Sequence, residues 1–301
     1  MPQQTIKELL SLIDSSVNEF VEGISPIQEQ SYKRLIALTK DLKIDSDGNI
    51  KNSLENIRQI RKIKQELDVA IITRPYLKSV ANFVNTFDAI SVLQNDYFAK
   101  LTTKFTPKAV FEEVKKINVQ LTIDNLTENG IGGAYTKTIT DILKQNITTG
   151  GSYADFAEQL KRAVTGDESE DGALLKYAKQ IATDSINQYN ASYNAIITDD
   201  LGLVWYQYTG SLLTTSRPFC QKMVEKIFFH ISEVEEMLNG VIGNSTVPIN
   251  DKTGLPYGFI EGTNAASFFV NRGGYNCGHQ IFATITEGVP QEIRDALEVS
   301  K

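Results

Sequence analysis

The sequence predicts an α+β protein, in which a helical N-terminal half is followed by a small mixed domain of helices packed on a short antiparallel sheet. Three observations lead to this class. Apolar residues recur at helical spacing through residues 1–125, a glycine-rich stretch at residues 129–133 interrupts the chain, and strand-forming residues follow that stretch. At 301 residues the chain is longer than one usual domain, so we expect two, each able to bury its own core.

The composition is that of an ordinary globular protein. Hydrophobic residues make up 41% and charged residues 22% of the chain, and the formal net charge is -7. An acidic chain repels polyphosphate, which argues against broad coating of DNA but leaves local basic faces open to it.

The first residues lack the basic start and apolar run of a signal peptide, and no apolar run approaches the roughly 18 residues that span a bilayer. We therefore expect synthesis in the cytosol and no membrane partner.

Helix-initiation and turn signals divide the first part of the chain. Ser25, Pro26 and Gln28 predict the start of a helix, because serine can cap it, proline suits its first position and glutamine can bond back. The helix is expected to run to about Leu42 and to end in a turn at residues 45–49. The glycine of that turn comes fourth, not sixth as in a calcium loop, so a plain turn is the favoured interpretation.

The next predicted helix starts at Asn52, with Glu55 three residues later, and it carries two different faces. Its apolar face is formed by Leu54, Ile57, Ile60, Ile63 and Leu67. Its basic face is formed by Lys51, Arg58, Arg61, Lys62 and Lys64. Because Glu55 and Glu66 interrupt the basic residues, a solvated face is favoured over a contact with DNA or an acidic partner.

Large apolar side chains at spacings of three, four or seven predict a long helix from Pro75 onward. They are Tyr76, Val80, Phe83, Phe87, Ile90 and Tyr97. Such a stripe indicates a packing surface more often than an aromatic cofactor site. Thr106 and Pro107 are then expected to open a further helix through Val110, Val114 and Ile117. No catalytic cluster is recognisable in this half of the sequence.

A second domain is predicted to begin at the glycine-rich stretch, which lacks the lysine and hydroxyl residues of a phosphate-binding loop. Three helices are expected next, at 137–145, 153–164 and 174–197. Ser152 is expected to cap the second helix, and an acidic loop at 166–172 is expected to precede the third, long helix. Strands are expected at 203–208, 268–270 and 280–285, and short helices at 232–238 and 290–297. The predicted domains are residues 1–128, 129–288 and a C-terminal helix or tail, 289–301.

Both cysteines and both histidines of the chain fall in one region, as Cys220, His230, Cys277 and His279. In number and type they match the ligands of a tetrahedral structural zinc site. The spacing lacks the knuckle of two close cysteines found in zinc ribbons, so pairing or packing of the cysteines without metal is favoured over zinc. A catalytic zinc needs an open ligand position, and a cysteine nucleophile needs an oriented base; the sequence fixes neither.

Beyond residue 135 the order of motifs resembles the phage head-morphogenesis family typified by the Mu F protein. The matching pieces are the turn 149–152, the long helix containing 182–184 and 190–191, and the segments 215–220 and 272–280. The last two segments are the strongest, because they pair an Arg-Pro-x-Cys motif with a later Asn-Cys-x-His motif. The resemblance covers residues 135–287. It departs in the long helix, which lacks the family's arginine, and after the second cysteine, where Gly278 replaces another arginine.

The resemblance implies a non-enzymatic, structural minor head protein of a tailed phage, present in the virion in few copies. Its expected partners are the portal protein, the major capsid protein or both, and it would act in head morphogenesis or DNA delivery. Structural roles are expected for Arg217, Pro218, Arg272, Gly273 and Gly274, since arginines can satisfy loop carbonyls and glycines allow tight turns.

Two other functions stay open from the sequence. One is a zinc-dependent hydrolase or toxin-like enzyme carried on a phage head domain, which the Cys and His residues would serve. The other is a DNA-packaging accessory protein that contacts DNA through the basic face of residues 51–64. Zinc, if bound, would be structural in a minor head protein and catalytic in the enzyme.

We predict that Cys277→Ser lowers the stability of the C-terminal domain, because the cysteine is expected to hold two motifs together. The expected result is a lower midpoint of thermal unfolding than in the unmodified chain. Thermal unfolding identical to that of the unmodified chain would contradict a structural role for Cys277.

Overall fold

The computed structural model describes residues 2–129 and 131–299, without the side chains of residues 68–71, 128–129, 132 and 298–299. It is 66% helical, with small antiparallel sheets of two or three strands, which confirms the predicted α+β class and its helical N-terminal half. The division at residues 128–129 stays a prediction, and Gly130, in the middle of the glycine-rich stretch, lies outside the described residues.

Contacts group the chain into two compact units. The first unit comprises Met1–Ile13, Phe87–Asn118 and Thr183–Lys301, and the second comprises Asp14–Thr86 and Val119–Ala182. Seven long helices supply most of both units: α1 Pro2–Thr39, α2 Leu54–Ile71, α3 Arg74–Leu101, α4 Ala109–Asp124, α5 Ile131–Thr149, α6 Tyr153–Thr165 and α7 Ala173–Leu201. A π-helical turn, Asn125–Asn129, follows α4. None of the described helices combines the length and hydropathy required to cross a bilayer.

The prediction of a helix start at Ser25 was wrong, because α1 runs without a break from Pro2 to Thr39 and contains Pro26. Proline inside a helix removes one backbone hydrogen bond and costs about 3 kcal/mol. Ile24 and Ile27, on either side of it, are almost completely buried. Their burial, together with that of the other apolar residues of the helix, offsets this cost.

The turn at residues 45–49 is confirmed. The Asp45 carboxylate accepts hydrogen bonds from the amides of Asp47 and Asn49, both at 2.9 Å. Gly48 has a φ of 82°, a left-handed conformation that glycine adopts without strain. The side chain of Asp45 therefore satisfies two backbone amides within the turn.

The cap of helix α2 is Ser53, one residue after the predicted Asn52, and the apolar face of the helix is shorter than predicted. Ser53 Oγ accepts from the Asn56 amide at 3.2 Å. Leu54 and Ile57 are 62% and 50% exposed, whereas Ile63 and Leu67 are buried. Asn56 takes the inward position, because its fully buried side chain bonds to the backbone of residues 43 and 51. That contact turns the start of α2 so that Leu54 and Ile57 face outward.

The apolar stripe predicted for α3 is confirmed. The six residues of the stripe are all buried: Tyr76, Val80, Phe83, Phe87, Ile90 and Tyr97. The next helix, α4, starts at Ala109, two residues after Pro107, and there Phe111 is the buried residue while Val110 and Ile117 are exposed. Phe111 contacts Tyr193 of α7, with ring centroids 5.8 Å apart.

The central sheet has three antiparallel strands in the order β2 (Phe228–His230), β1 (Trp205–Thr209) and β7 (Gln280–Thr284). Trp205 pairs with His230 on one side and with Thr284 on the other. Two short hairpins lie between β2 and β7 in the chain: β3 Val241–Ile242 with β4 Ser245–Thr246, and β5 Ile249–Asn250 with β6 Leu255–Pro256. Four short helices complete this region: α8 Pro218–Lys226, α9 Val234–Leu238, α10 Phe268–Asn271 and α11 Gln291–Val299.

Two of the three predicted strands are confirmed, as β1 and β7, but the strand predicted at residues 268–270 was wrong. That segment is α10, whose last turn closes with a bond from the Arg272 amide to the Phe268 carbonyl at 2.9 Å. Phe268 is fully buried against Phe219, Phe229 and Phe259. Aromatic residues are common in strands, but here tertiary packing decides the conformation.

Buried amide side chains attach β7 to α7. Asn190 accepts from Gln94 Nε2 at 2.6 Å and donates to Gln280 Oε1 at 2.7 Å. One helical turn later, Asn194 donates to the Ile281 carbonyl at 3.2 Å. Asn190 is fully buried, so each of these groups depends on its protein partner for a hydrogen bond.

We predict that Asn190→Ala lowers the free energy of unfolding by about 2–3 kcal/mol, because the buried Gln280 oxygen loses its donor and a cavity remains. Urea unfolding followed by the fluorescence of Trp205, the single tryptophan, measures the effect at the central sheet. The exposed Asn82→Ala is the matched control and should change stability by less than about 0.5 kcal/mol. Equal stability of the two variants would show that the amide cluster contributes nothing.

Candidate metal centre

The segment 215–220 presents Cys220 from the first turn of α8. Pro218 stands at the first helical position, where its missing amide hydrogen costs nothing and its fixed φ suits the helix. Arg217 precedes it with extended backbone, at φ -66° and ψ 150°. The helix therefore turns Cys220 into the protein, where its side chain is 2% exposed.

The segment 272–280 turns sharply between α10 and β7. Gly273, Gly274 and Asn276 all have a positive φ, of 74°, 68° and 57°. The Asn276 amide donates to Asp184 Oδ1 at 2.6 Å, and the amide side chain of Asn187 donates to the Cys277 carbonyl at 3.1 Å. Asn276 is not a glycine, so its left-handed backbone depends on such bonds.

Arg217 joins the two segments. Its guanidinium donates to the carbonyls of Gly273 and Tyr275, the latter at 2.7 Å. Gly258 lies against the side chain of Arg217, and a Cβ at that position would overlap it. Gly274 packs as closely against the carbonyl of Gly258. A loop that has no ladder hydrogen bonds is thus held by one planar side chain with two donors.

Arg272 has a different set of partners. Its guanidinium donates to the Phe269 carbonyl at 2.6 Å and to the His279 carbonyl at 3.0 Å, and the residue is 4% exposed. It therefore holds together the start and the end of its own turn. No carboxylate in the described part of the chain forms a salt bridge with it.

Three of the four predicted ligands come together at this junction. Cys220 Sγ lies 3.8 Å from Cys277 Sγ, and Cys277 Sγ lies 3.7 Å from His279 Nδ1. The ligand atoms of the three residues all lie within 4.8 Å of one another, and all three residues are buried. Both cysteines are free thiols. Two sulfurs and an imidazole nitrogen form a donor set that suits a zinc ion.

His230, the fourth predicted ligand, is not part of this group. It lies in β2, where its ring meets the edge of Trp205 at a centroid distance of 5.1 Å. Its Nδ1 accepts from the Ser232 amide at 3.1 Å, and Glu233 bonds back to the His230 amide at 2.8 Å. His230 therefore caps the short helical turn that leads into α9. The glutamate three residues after it was the signal for this role in the sequence.

The two thiols titrate as a pair. The neighbouring Cys220 thiol lowers the pKa of Cys277, burial opposes this effect, and His279 and Arg272 lower the pKa further. The same contact with Cys277, followed by burial, raises the pKa of Cys220. The first proton is therefore lost more easily than from an isolated buried cysteine, and the second is retained more strongly.

Sequence reasoning did not connect Tyr208 or Gly210 with the cluster, yet both border it. The ring of Tyr208 stacks on His279 at 5.5 Å, and burial, followed by the charge of Cys277, raises the pKa of Tyr208 well above its ordinary value. A Cβ on Gly210 would lie 2.6 Å from His279 Cδ2. Within the described chain, two buried polar atoms around the cluster lack a hydrogen-bond partner, Arg272 Nε and His279 Nε2, while the Tyr208 hydroxyl interacts with the Cys220 thiol.

The space next to the cluster is small. A cavity of about 20 Å³ borders Cys277, Arg272 and Tyr275, and its other walls include Asp184 and Asn187. About one water molecule fits such a volume.

Comparison of the chain with family models, with curated proteins and with solved structures found no match.

We predict that Gly273→Ala lowers the free energy of unfolding by about 2 kcal/mol or more. Alanine is strained at a φ of 74°, and its Cβ would overlap Cys277 Sγ. Gly278→Ala is the matched control, because a Cβ there meets nothing within 4 Å and its φ is not in the left-handed region. Urea unfolding followed by Trp205 fluorescence should separate the two variants, and equal stabilities would refute the close packing of this turn.

Proposed function

We propose that the chain is a structural minor head protein of a tailed phage, acting in head morphogenesis or DNA delivery. The observation that carries the proposal is the junction of the segments 215–220 and 272–280. These two segments carry the strongest part of the resemblance to the phage head-morphogenesis family, and Arg217 and the cysteine pair bring them into direct contact. Motifs that meet in space are expected when they belong to one functional module.

The burial of the cluster supports a role without catalysis. The three residues of the cluster, Cys220, Cys277 and His279, are at most 9% exposed. The adjoining cavity, of about 20 Å³, has no room for a substrate. The zinc-dependent hydrolase or toxin-like enzyme would need an open position at this point, so the structural role is the better supported of the two.

Exposed helix surfaces support attachment to a larger assembly. Val110, Ile117 and Leu121 lie along α4 at spacings of seven and four and are all exposed, which is the pattern of a helix that packs against another protein. The proposed partners are the portal protein, the major capsid protein or both, in the virion.

The basic face of α2 supports contact with packaged DNA as a second candidate. Arg58, Arg61, Lys62 and Lys64 are all exposed on the helix, whereas Lys51, also exposed, lies before its start at Leu54 and not on its face as predicted. Lys62 is 3.7 Å from Asp41, which offsets part of the positive charge of this face. Such a face could contact DNA locally although the whole chain is acidic.

The proposal predicts that the chain copurifies with particles of the phage or prophage that encodes it. Mass spectrometry of density-purified particles should find it at a fixed ratio far below that of the major capsid protein. A premature stop codon in its gene should give particles that lack it and a lower infectious titre, while a synonymous change at the same codon should have no effect. A chain that is abundant in the lysate, absent from particles and dispensable for titre would overturn the proposal.

A further inference from the structure

Two of the three distances within the cluster match those of a tetrahedral metal site. Zinc binds cysteine sulfur at about 2.3 Å and histidine nitrogen at about 2.0–2.1 Å, with ligands near the tetrahedral angle. These values place two sulfurs about 3.8 Å apart and a sulfur and a nitrogen about 3.5 Å apart. The observed distances are 3.8 Å between Cys220 and Cys277 and 3.7 Å between Cys277 and His279 Nδ1. The ligand atoms of Cys220 and His279 lie within 4.8 Å of each other, so these two would move to about 3.5 Å apart when a metal ion enters.

The surroundings hold the three ligands in place. Gly273 and Gly210 leave the space that Cys277 Sγ and the His279 ring occupy. The Cys277 carbonyl accepts a hydrogen bond from the Asn187 side chain, and the His279 carbonyl accepts one from the Arg272 guanidinium. These two bonds fix the backbone of the segment that carries Cys277 and His279.

A fourth contact is available from Tyr208. Tyr208 is 2% exposed, and its ring stacks on His279 at a centroid distance of 5.5 Å. Its hydroxyl interacts with the Cys220 thiol. The hydroxyl oxygen therefore lies beside the sulfurs that would hold a metal ion, and it has a lone pair that can contact that ion.

We propose that the chain binds one zinc ion through Cys220 Sγ, Cys277 Sγ and His279 Nδ1, with the Tyr208 hydroxyl as the fourth contact. Zinc is the expected ion because two thiolates and an imidazole in tetrahedral geometry favour it over magnesium or calcium. The ion would join the first turn of α8 to the entry of β7, and so connect two segments that are distant in sequence. The inference goes beyond the proposed function and does not depend on it.

Metal content tests the site on the full chain. Protein purified without chelator should contain one zinc per chain by mass spectrometry of the metal. Cys220→Ser and His279→Ala should each lower zinc content to less than a tenth. His230→Ala is the matched control and should retain the full amount, because His230 lies outside the cluster. Less than a tenth of a zinc per chain, even after incubation with zinc under reducing conditions, would overturn the proposal.

Spectroscopy of the unmodified chain keeps the test valid if a variant fails to fold. After replacement of zinc by cobalt, we expect the visible spectrum of a tetrahedral site and a near-ultraviolet band from two thiolates. Mass spectrometry that finds the two cysteines as a disulfide, with no cobalt bound after reduction, would refute the metal site.

Tyr208→Phe tests the fourth contact. We expect zinc to stay bound with at least tenfold weaker affinity in a competition with a chelator, and the cobalt spectrum to change. Tyr206→Phe is the matched control on the same strand, since its hydroxyl bonds to the Leu203 carbonyl and not to the cluster. Unchanged affinity and an unchanged spectrum in Tyr208→Phe would remove the tyrosine from the site.

Discussion

The contact between Arg217 and the turn at residues 273–275 is the interaction on which the C-terminal region depends. The guanidinium donates hydrogen bonds to two carbonyls of a turn that has no strand partner. The positive φ of Gly273 and Gly274 makes that turn possible. The cysteine pair and Gly258 pack against the same junction. A loop with few backbone bonds of its own is thereby fixed to the first turn of α8, and β7 follows from it in a defined register.

This arrangement encloses the cluster, beside which lies a cavity of about 20 Å³. Buried amides on α7 hold β7 on one side, and the junction holds its beginning on the other. Cys220, Cys277 and His279 are enclosed, whereas apolar and basic side chains of α2 and α4 are exposed. Under the proposed function, the exposed side chains would contact other proteins or DNA, and the enclosed ones would serve stability.

The parts of the fold that follow from local sequence could be predicted, and the parts set by tertiary contacts could not. The α3 stripe, the Asp45 turn and the Ser152 cap depend on neighbouring residues, and all three are present. Pro26 inside α1 and the helical turn at Phe268 go against local preference and are decided by burial. At the site, the close pair of Cys277 and His279 was recognisable, but the separate role of His230 and the presence of Tyr208 required the structure.

Hydrogen exchange of the native protein tests the central claim most directly, namely that the segments 215–220 and 272–280 form one stable junction. If they do, the protected amides of both segments exchange as slowly as those of β1, because they open only when the sheet does. Exchange of either segment far faster than β1, under conditions where β1 stays protected, would contradict the account.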